Sequence, residues 1–388
     1  MAVLAAIKSV LAGNKYPVSL HEPVFSGREW QLVKDCLDSG YVSSVGEYVD
    51  IFERQLADYL GATHVIAVVN GTAALHVSLL IAGVRPDDEV IVPTLTFVAT
   101  ANAVSYCGAI PHFVDSEQRT LGLDPEKLGQ YLGDILREVD GQWVNRNTGR
   151  RVAAIVPVHI FGHPVDMDAL ADIAGKYSLP IIEDAAESLG SRYKNRMVGT
   201  LSSIAAISFN GNKTITTGGG GAIVTNDKSL AARARHMTTT ARVPHPWEIM
   251  HDEVGFNYRM PNINAALGCA QLEQLDVFIK QKRDLANRYK QELLGIAGVK
   301  WFEEPEFACS NYWLNAMLLQ DPVLENRDDL LEVLNNEKIL ARPAWNLLHT
   351  LTMYRECPHM DLSVAENLAQ RLICLPSSAF LSKTDGYA

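Results

Sequence analysis

VIAVVNGTAALHVSLLIAG (65–83) decides how this chain reads. Five β-branched or small apolar residues end at Asn70-Gly71-Thr72, and an apolar helical pattern begins at once. The chain repeats that grammar. EVIVP (89–93), AAIVPV (153–158), LPIIED (179–184), AAISF (205–209) and AIVTN (222–226) read as further strands, and VDMDALADIAGKYS (165–178) reads as a helix leading into the third of these. Strands that alternate with helices predict an α/β chain with a mostly parallel sheet covered on both faces. In such sheets a ligand sits beyond the carboxyl ends of the strands, so the residues just after each strand carry the functional question.

Outward from that core the pattern loosens. Ser26-Gly27-Arg28-Glu29 has the spacing of a capping box and opens an amphipathic run to Asp38. The polar stretch 118–151 predicts one helix over Pro125–Val139 and a hairpin-like insertion around Asn145–Gly149. A long helical pattern from Ile263 to Leu294 reads as a spine joining a large domain (1–262, with an N-terminal helical arm) to a smaller C-terminal α+β domain (263–388).

Composition narrows the function classes. A formal net charge of −11 argues against a general nucleic-acid binder, which needs a basic face for phosphates. Six cysteines are scattered without paired spacing, which suggests reduced thiols in a cytoplasmic setting and no zinc or other metal site. MAVLAAIKSVLAG is apolar but short and soon followed by charge, so an amphipathic helix is expected there, and no apolar run is long enough to predict a membrane span.

Three places carry chemistry. Asn70-Gly71-Thr72 at a strand-to-helix junction offers free amides and a hydroxyl at a positive helix end, which suits a phosphate; a plain turn capped by Thr72 is the alternative. Asp184 ends a buried strand, where a carboxylate needs a cationic partner, a metal or a capping duty, and no cluster with metal-ligand spacing surrounds it. The protonated ring nitrogen of pyridoxal phosphate is such a partner. Glu187, three positions on, then falls near the ring hydroxyl, or simply caps a helix. Finally, SFNGNKTITTGGGG (208–221) sets Lys213 between Ser208 and a glycine run that permits close backbone approach. A lysine desolvated there is a candidate nucleophile. The Walker order of a nucleotide-binding loop is absent, since Asn212 precedes Lys213. Phe97 in PTLTFVATANAVSYCG (93–108) is placed to stack on a pyridine face or to pack in the core.

Taken in order, Asn70-Gly71-Thr72, Thr96-Phe97-Val98-Ala99-Thr100, Glu183-Asp184-Ala185-Ala186-Glu187 and Ser208-Phe209 with Lys213 make the chain resemble the DegT/DnrJ/StrS sugar-nucleotide aminotransferases, from Tyr41 to about Pro376. The resemblance implies the aspartate-aminotransferase architecture (fold type I) and pyridoxal 5′-phosphate, with pyridoxamine 5′-phosphate as its alternate form. It makes Lys213 the Schiff-base lysine and proton carrier, and Asp184 the partner of the ring nitrogen. Glu187 would sit by the ring hydroxyl, and Phe97 on the ring face. The Gly71 and Thr72 amides, with the Thr72 and Ser208 hydroxyls, would hold the phosphate. Asn257, in Gly255-Phe256-Asn257-Tyr258-Arg259-Met260-Pro261, resembles the asparagine that reaches a neighbouring subunit's phosphate, implying a homodimer with shared sites. Gly219 departs from the glutamate of many relatives.

Leu20-His21-Glu22-Pro23, Val42-Ser43-Ser44-Val45-Gly46 and Pro244-His245-Pro246-Trp247-Glu248 are similar to the branch that aminates C4 of UDP-4-keto-6-deoxy-N-acetylhexosamines for bacillosamine- or legionaminic-type surface glycans. That likeness implies L-glutamate as donor and His21, Ser43, Ser44, His245, Trp247 and Tyr312 as substrate contacts. GDP- or dTDP-linked keto sugars, with amination at C3 or C4, are the alternative. A sugar dehydratase of the same fold would carry histidine where Lys213 stands, and a cofactor-binding regulator would not need the full proton-transfer set.

Overall fold

The computed structural model describes residues 2–320 and 324–382. Its central sheet starts with His64–Val68, which pairs antiparallel with Gly221–Thr225, and that strand pairs antiparallel with Ile204–Ser208. Ile204–Ser208 lies parallel to Ile182–Asp184. Isolated parallel bridges, Ile155↔Ile181 and Val158↔Asp184, carry the sheet on to Val152–Ile155, Glu89–Pro93 and Ile110–Val114, all parallel. Gly221–Thr225 therefore runs against all its fellows, and the sheet is mostly parallel as expected.

The strand period of two divides the core. Ile66, Val68, Ala206 and Ile223 face one side, with Leu75 and Leu79 of the helix Gly71–Ile81. Val65, Ala67, Ala205, Ile207 and Val224 face the other, with Phe52 and Leu56 of the helix Glu47–Leu60 and Ala265, Ala266 and Cys269 of the helix Asn262–Leu272. Alternate side chains go to opposite faces, both covered by helices, which is why these strands read as nearly continuous apolar runs.

The later part of the chain forms a second layer. Val299–Trp301, Asn315–Leu319, Leu372–Leu375 and Arg342–Pro343 make an antiparallel sheet. The helix Ala2–Val10 buries Leu4, Ile7 and Val10 here, against Leu285 and Tyr289 of the helix Leu275–Leu293 and Met317 and Ile373 of the sheet. The first residues thus share a core with the last part of the chain. No helix among the described residues is long and apolar enough to cross a membrane.

Four local expectations need correction. The pattern from Ile263 to Leu294 is two helices, Asn262–Leu272 and Leu275–Leu293. At the break the Gln274 amide bonds the Gln271 carbonyl, and the side chains of Gln271 and Gln274 both donate to Glu29. Ser26 is not a helix cap: its hydroxyl bonds Gln274, the helix starts at Glu29, and the Glu29 carboxylate accepts from the Gly27 amide. The helix from Pro125 stops at Ile135, and Leu136–Val139 turns back on Gln142–Asn145 through Asp140-Gly141, both at positive φ. A second reversal follows at Asn145–Gly149, as expected, where the Asn145 amide bonds the Arg150 carbonyl and Val144 bridges Arg151 antiparallel. The strand Ile110–Val114 went unread because Pro111 and His112 interrupt its apolar run; inside, His112 is paired with Glu89 and Tyr131.

Candidate active site

The carboxyl end of His64–Val68 delivers Asn70, whose side chain caps the following helix by accepting from the Ala73 amide at 2.7 Å. Its carbonyl takes the Ala74 amide. Asn70, not Thr72, is the cap. The first two amides of the helix, Gly71 and Thr72, then have no acceptor among the described residues and lie at the positive end of the helix dipole. A Cβ on Gly71 would stand 2.8 Å from the Ser208 Cβ, so only glycine lets this turn approach the end of the neighbouring strand.

Across the cavity sits Asp184, at the end of its strand and 4% exposed. One oxygen accepts from the Thr100 hydroxyl at 2.8 Å and the other from the Ala186 amide at 3.2 Å. Burial pushes this carboxyl up, and those two hydrogen bonds offset it only in part. Glu187, one turn on, accepts from the Phe161 amide at 2.8 Å and stands 3.5 Å from the Lys213 Nζ. Burial pushes Glu187 up to about 7 despite the nearby lysine. Lys213 comes from the loop after Ile204–Ser208, mostly buried, with Nζ 3.9 Å from the centre of the Trp313 ring.

These residues line one cavity of about 310 Å³, together with Thr96, Phe97, Asn210 and Trp345. Larger hollows lie elsewhere, one of about 640 Å³ beside Arg119 and Arg371, but they bring together no lysine–carboxylate pair of this kind. Phe97 stands at the rim, 51% exposed, with its ring centre 6.3 Å from that of Trp345.

The fit to pyridoxal phosphate can be tested on this geometry. A phosphate needs unpaired donors: the Gly71 and Thr72 amides and the Ser208 hydroxyl supply them. A protonated pyridine needs a buried anion: Asp184 is raised by burial and has only neutral partners in direct contact. A Schiff base needs an amine inside the cavity, where Lys213 lies. The residues fit the group.

The other expected site residues fall elsewhere. Ser43 and Ser44 are exposed ahead of the helix Glu47–Leu60. His245 and Trp247 share an exposed loop, touching each other edge-on at 5.2 Å, with Trp247 80% exposed. Asn257 is exposed and outside its own chain's cavity. Tyr312 does not face the cavity: at φ 47° it turns its ring onto His163 and Arg283. Its neighbour Trp313 takes the place on the wall that the sequence reading gave to Tyr312. His21 is not among the residues lining the cavity, and both its ring nitrogens are buried without a hydrogen-bond partner among the described residues.

Sequence reasoning missed Thr100 as a cavity residue, and it named Trp313 and Trp345, with Tyr312, only as side chains bearing on the sugar's face whose place it could not give. Thr100 was quoted only within a motif, yet a hydroxyl one helical turn past Thr96, on a helix starting at a strand end, is a readable signal. Glu183 was passed over as well. It is fully buried, and burial pushes it up, but His159 and the Gly199 and Ser202 amides hold it below the usual carboxylate range. It anchors the loop 199–202 from the far face of the strand that presents Asp184.

Comparison with known proteins agrees with this geometry. Residues 25–386 match the DegT/DnrJ/EryC1/StrS aminotransferase family. The chain is 40% identical to the GDP-perosamine synthase of Escherichia coli O157:H7 over 94% of each chain. It is 37% identical to EpsN of Bacillus subtilis (strain 168), named as a pyridoxal phosphate-dependent aminotransferase, over 95% of this chain and 92% of that one. Among solved structures, a DegT DnrJ EryC1 StrS aminotransferase from Brucella abortus superposes with a TM-score of 0.83 at 31% identity, covering 92% of each chain.

Proposed function

The chain belongs to the DegT/DnrJ/EryC1/StrS aminotransferase family and is a pyridoxal-phosphate-dependent sugar-nucleotide aminotransferase, and on that premise we propose that it moves the amino group of L-glutamate to C4 of a GDP-linked 4-keto-6-deoxy sugar. The observation that carries the chemistry is the meeting of Lys213, Asp184 and the capped helix end of Gly71–Thr72 in one cavity at the carboxyl ends of the strands. The choice of nucleotide follows the relatives named as GDP-perosamine synthases, which match nearly the whole chain. They outweigh the short motifs on which the UDP-N-acetylhexosamine reading rested. That reading becomes the alternative.

When bound, pyridoxal phosphate supplies a reactive carbonyl and an electron-withdrawing ring. Asp184 would hold a proton at the ring nitrogen of the bound group, and the Thr100 hydroxyl and Ala186 amide fix its carboxylate in the cavity. The Gly71 and Thr72 amides and Ser208 fix the phosphate end. Lys213 Nζ takes the proton from the α-carbon of the donor, and later delivers one to C4 of the sugar. Glu187, with an affinity for protons near neutrality, is within 3.5 Å to exchange charge with that amine. Trp313 and Trp345 keep bulk water off the reacting face. Each cavity is completed in a homodimer, where the exposed Asn257 of one subunit reaches the phosphate of the other.

The test is a panel of GDP-, UDP- and dTDP-linked 4-keto-6-deoxy sugars with L-glutamate, read by 2-oxoglutarate release and by NMR of the product. The expected result is a kcat/KM for the GDP sugar at least about tenfold above the others, a margin that pocket contacts can supply. A preference for UDP-4-keto-6-deoxy-N-acetylglucosamine would restore the alternative. No 2-oxoglutarate with any sugar would overturn sugar amination.

A further inference from the structure

Trp313 is held at both ends. Its indole N–H donates to the Asn212 carbonyl at 2.7 Å, one residue before Lys213. Its own carbonyl accepts from the Lys282 Nζ at 3.2 Å. Between those fixed points, the ring lies 3.9 Å from the Lys213 Nζ, close enough for a cation–π contact.

Lys282 is the unusual partner. It projects from the helix Leu275–Leu293 with its side chain completely buried, and its amine has no carboxylate partner among the described residues. Its second acceptor is the Ser377 carbonyl at 2.5 Å. The same stretch is tied to the N-terminal segment, since Ser377 N donates to the Leu20 carbonyl and Glu22 N to the Ser378 hydroxyl. One buried amine thus joins the helix, the Trp313 wall and the end of the chain that lies beside His21. Burial pushes the amine far below the usual lysine range.

We propose that Trp313 is a positioning residue for Lys213, its ring holding the free ammonium over the cavity, and that Lys282 is the buried anchor that sets the ring. The inference rests on Lys213 being the cofactor lysine and adds what keeps its amine in place when it is not bonded. The Glu187 carboxylate also stands 3.5 Å from that amine, and Asp184 and His21 act on it electrostatically. His159 faces Asp184, and the Cys374 thiol faces Glu187. The amine stands close to both the Trp313 ring and the Glu187 carboxylate, two surfaces that favour a cation, and removing the ring takes one of them away.

The experiment uses cofactor-free protein. Lys213 acylation by a small anhydride is followed by mass spectrometry across pH, for the parent and for Trp313→Phe, Trp313→Leu and Lys282→Met. Trp313→Leu is expected to move the midpoint down by about one pH unit, the scale of a desolvated cation–π contact. Trp313→Phe keeps a ring face and loses the indole bond, so its shift should be smaller and in the same direction. Lys282→Met is expected to shift the midpoint downward as well, because it frees the ring that Lys282 ties through the Trp313 carbonyl. An upward shift in Lys282→Met would mean that Lys282 is a charged neighbour, and would overturn the anchor. Unchanged midpoints in both Trp313 variants would overturn the positioning role, and Trp313→Phe keeps that outcome readable should the leucine variant not fold. Borohydride trapping of pyridoxal phosphate on the parent protein is the separate control: trapping at another lysine fails the cofactor assignment and not the ring's effect on Lys213.

Discussion

The wall that holds Lys213 and the loop that holds Trp247 were read from motifs of similar length, yet the fold treats them in opposite ways. Asp184 and Glu187 are buried, Lys213 nearly so, and each contacts groups from at least two other elements. The Pro244–His251 loop is exposed, with Trp247 and Ile249 both more than 70% open to solvent. Burial makes a charged or polar group expensive unless its partners are supplied, so the chemical half of the site is fixed by the folding of one chain. An exposed aromatic pair costs the fold little and waits for a ligand or another subunit. The contrast is between charged groups whose partners this chain supplies and an aromatic pair that it leaves open to solvent.

The sharpest way to break that contrast is at Lys213. Lys213→Ala should abolish borohydride fixation of pyridoxal phosphate to the protein and cut turnover by at least about 10⁴-fold, the upper end for a positioned general acid–base. Cofactor should still bind through the helix end, Ser208 and Asp184. Intact mass after reduction reads the first effect, and stopped-flow kinetics the second. Fixation that persists would place the reactive lysine elsewhere. Asp184→Asn comes next. Its amide oxygen can accept only one of the two bonds that Asp184 accepts, and the charge is gone, so turnover should fall on the order of 10²–10³-fold, as for loss of a preorganised electrostatic contact. Near-parent turnover would reduce Asp184 to a structural cap.

Glu187 tests whether burial itself does the tuning. Its folded-state pKa is about 7, raised from 4.5, so the folded protein favours the protonated form. The stability this group contributes is full below pH 4.5 and is lost as pH rises through 7. In cofactor-free protein, Glu187→Gln removes that loss. Relative to the parent, the variant should gain on the order of 3 kcal/mol between pH 4.5 and pH 8. Denaturant midpoints at both pH values measure it, and a flat difference would mean that Glu187 is solvated as freely as a surface carboxylate.

The same contrast explains what was legible in the sequence. The strands were readable because both faces of the sheet are covered, so each became an apolar run. Ile110–Val114 escaped because its inward His112 is satisfied by Glu89 and Tyr131, pairings that no single segment displays. Asp184, Glu187 and Lys213 could be singled out because a charge after a buried strand is costly wherever it occurs. Trp313 could not, since choosing it over Tyr312 depends on a left-handed backbone at Tyr312 that only the packed Ser310–Asn311 turn imposes. The break after Leu272 was equally hidden, as it answers to Glu29, far away in sequence.

The smallest effect belongs to the surface half, and it is the most informative about substrate. The Trp247 ring contacts His245, and the Trp247 amide donates weakly to the same side chain. Trp247→Ala should therefore leave thermal stability within about 0.5 kcal/mol of the parent, as for an exposed position. The donor step, glutamate to bound cofactor, needs only the buried groups and should proceed at the parent rate. If the loop closes over the sugar nucleotide, the acceptor step alone should suffer, with KM for the sugar nucleotide raised roughly three- to tenfold, the scale of a partly exposed aromatic contact. Single-turnover rates for each step, measured separately, separate the outcomes. An equal loss in both steps would tie Trp247 to the cofactor side and dissolve the contrast between the two regions. No change in either would leave the loop as bare surface, and the search for the substrate contacts would move to Phe97 and Trp345 at the rim of the cavity.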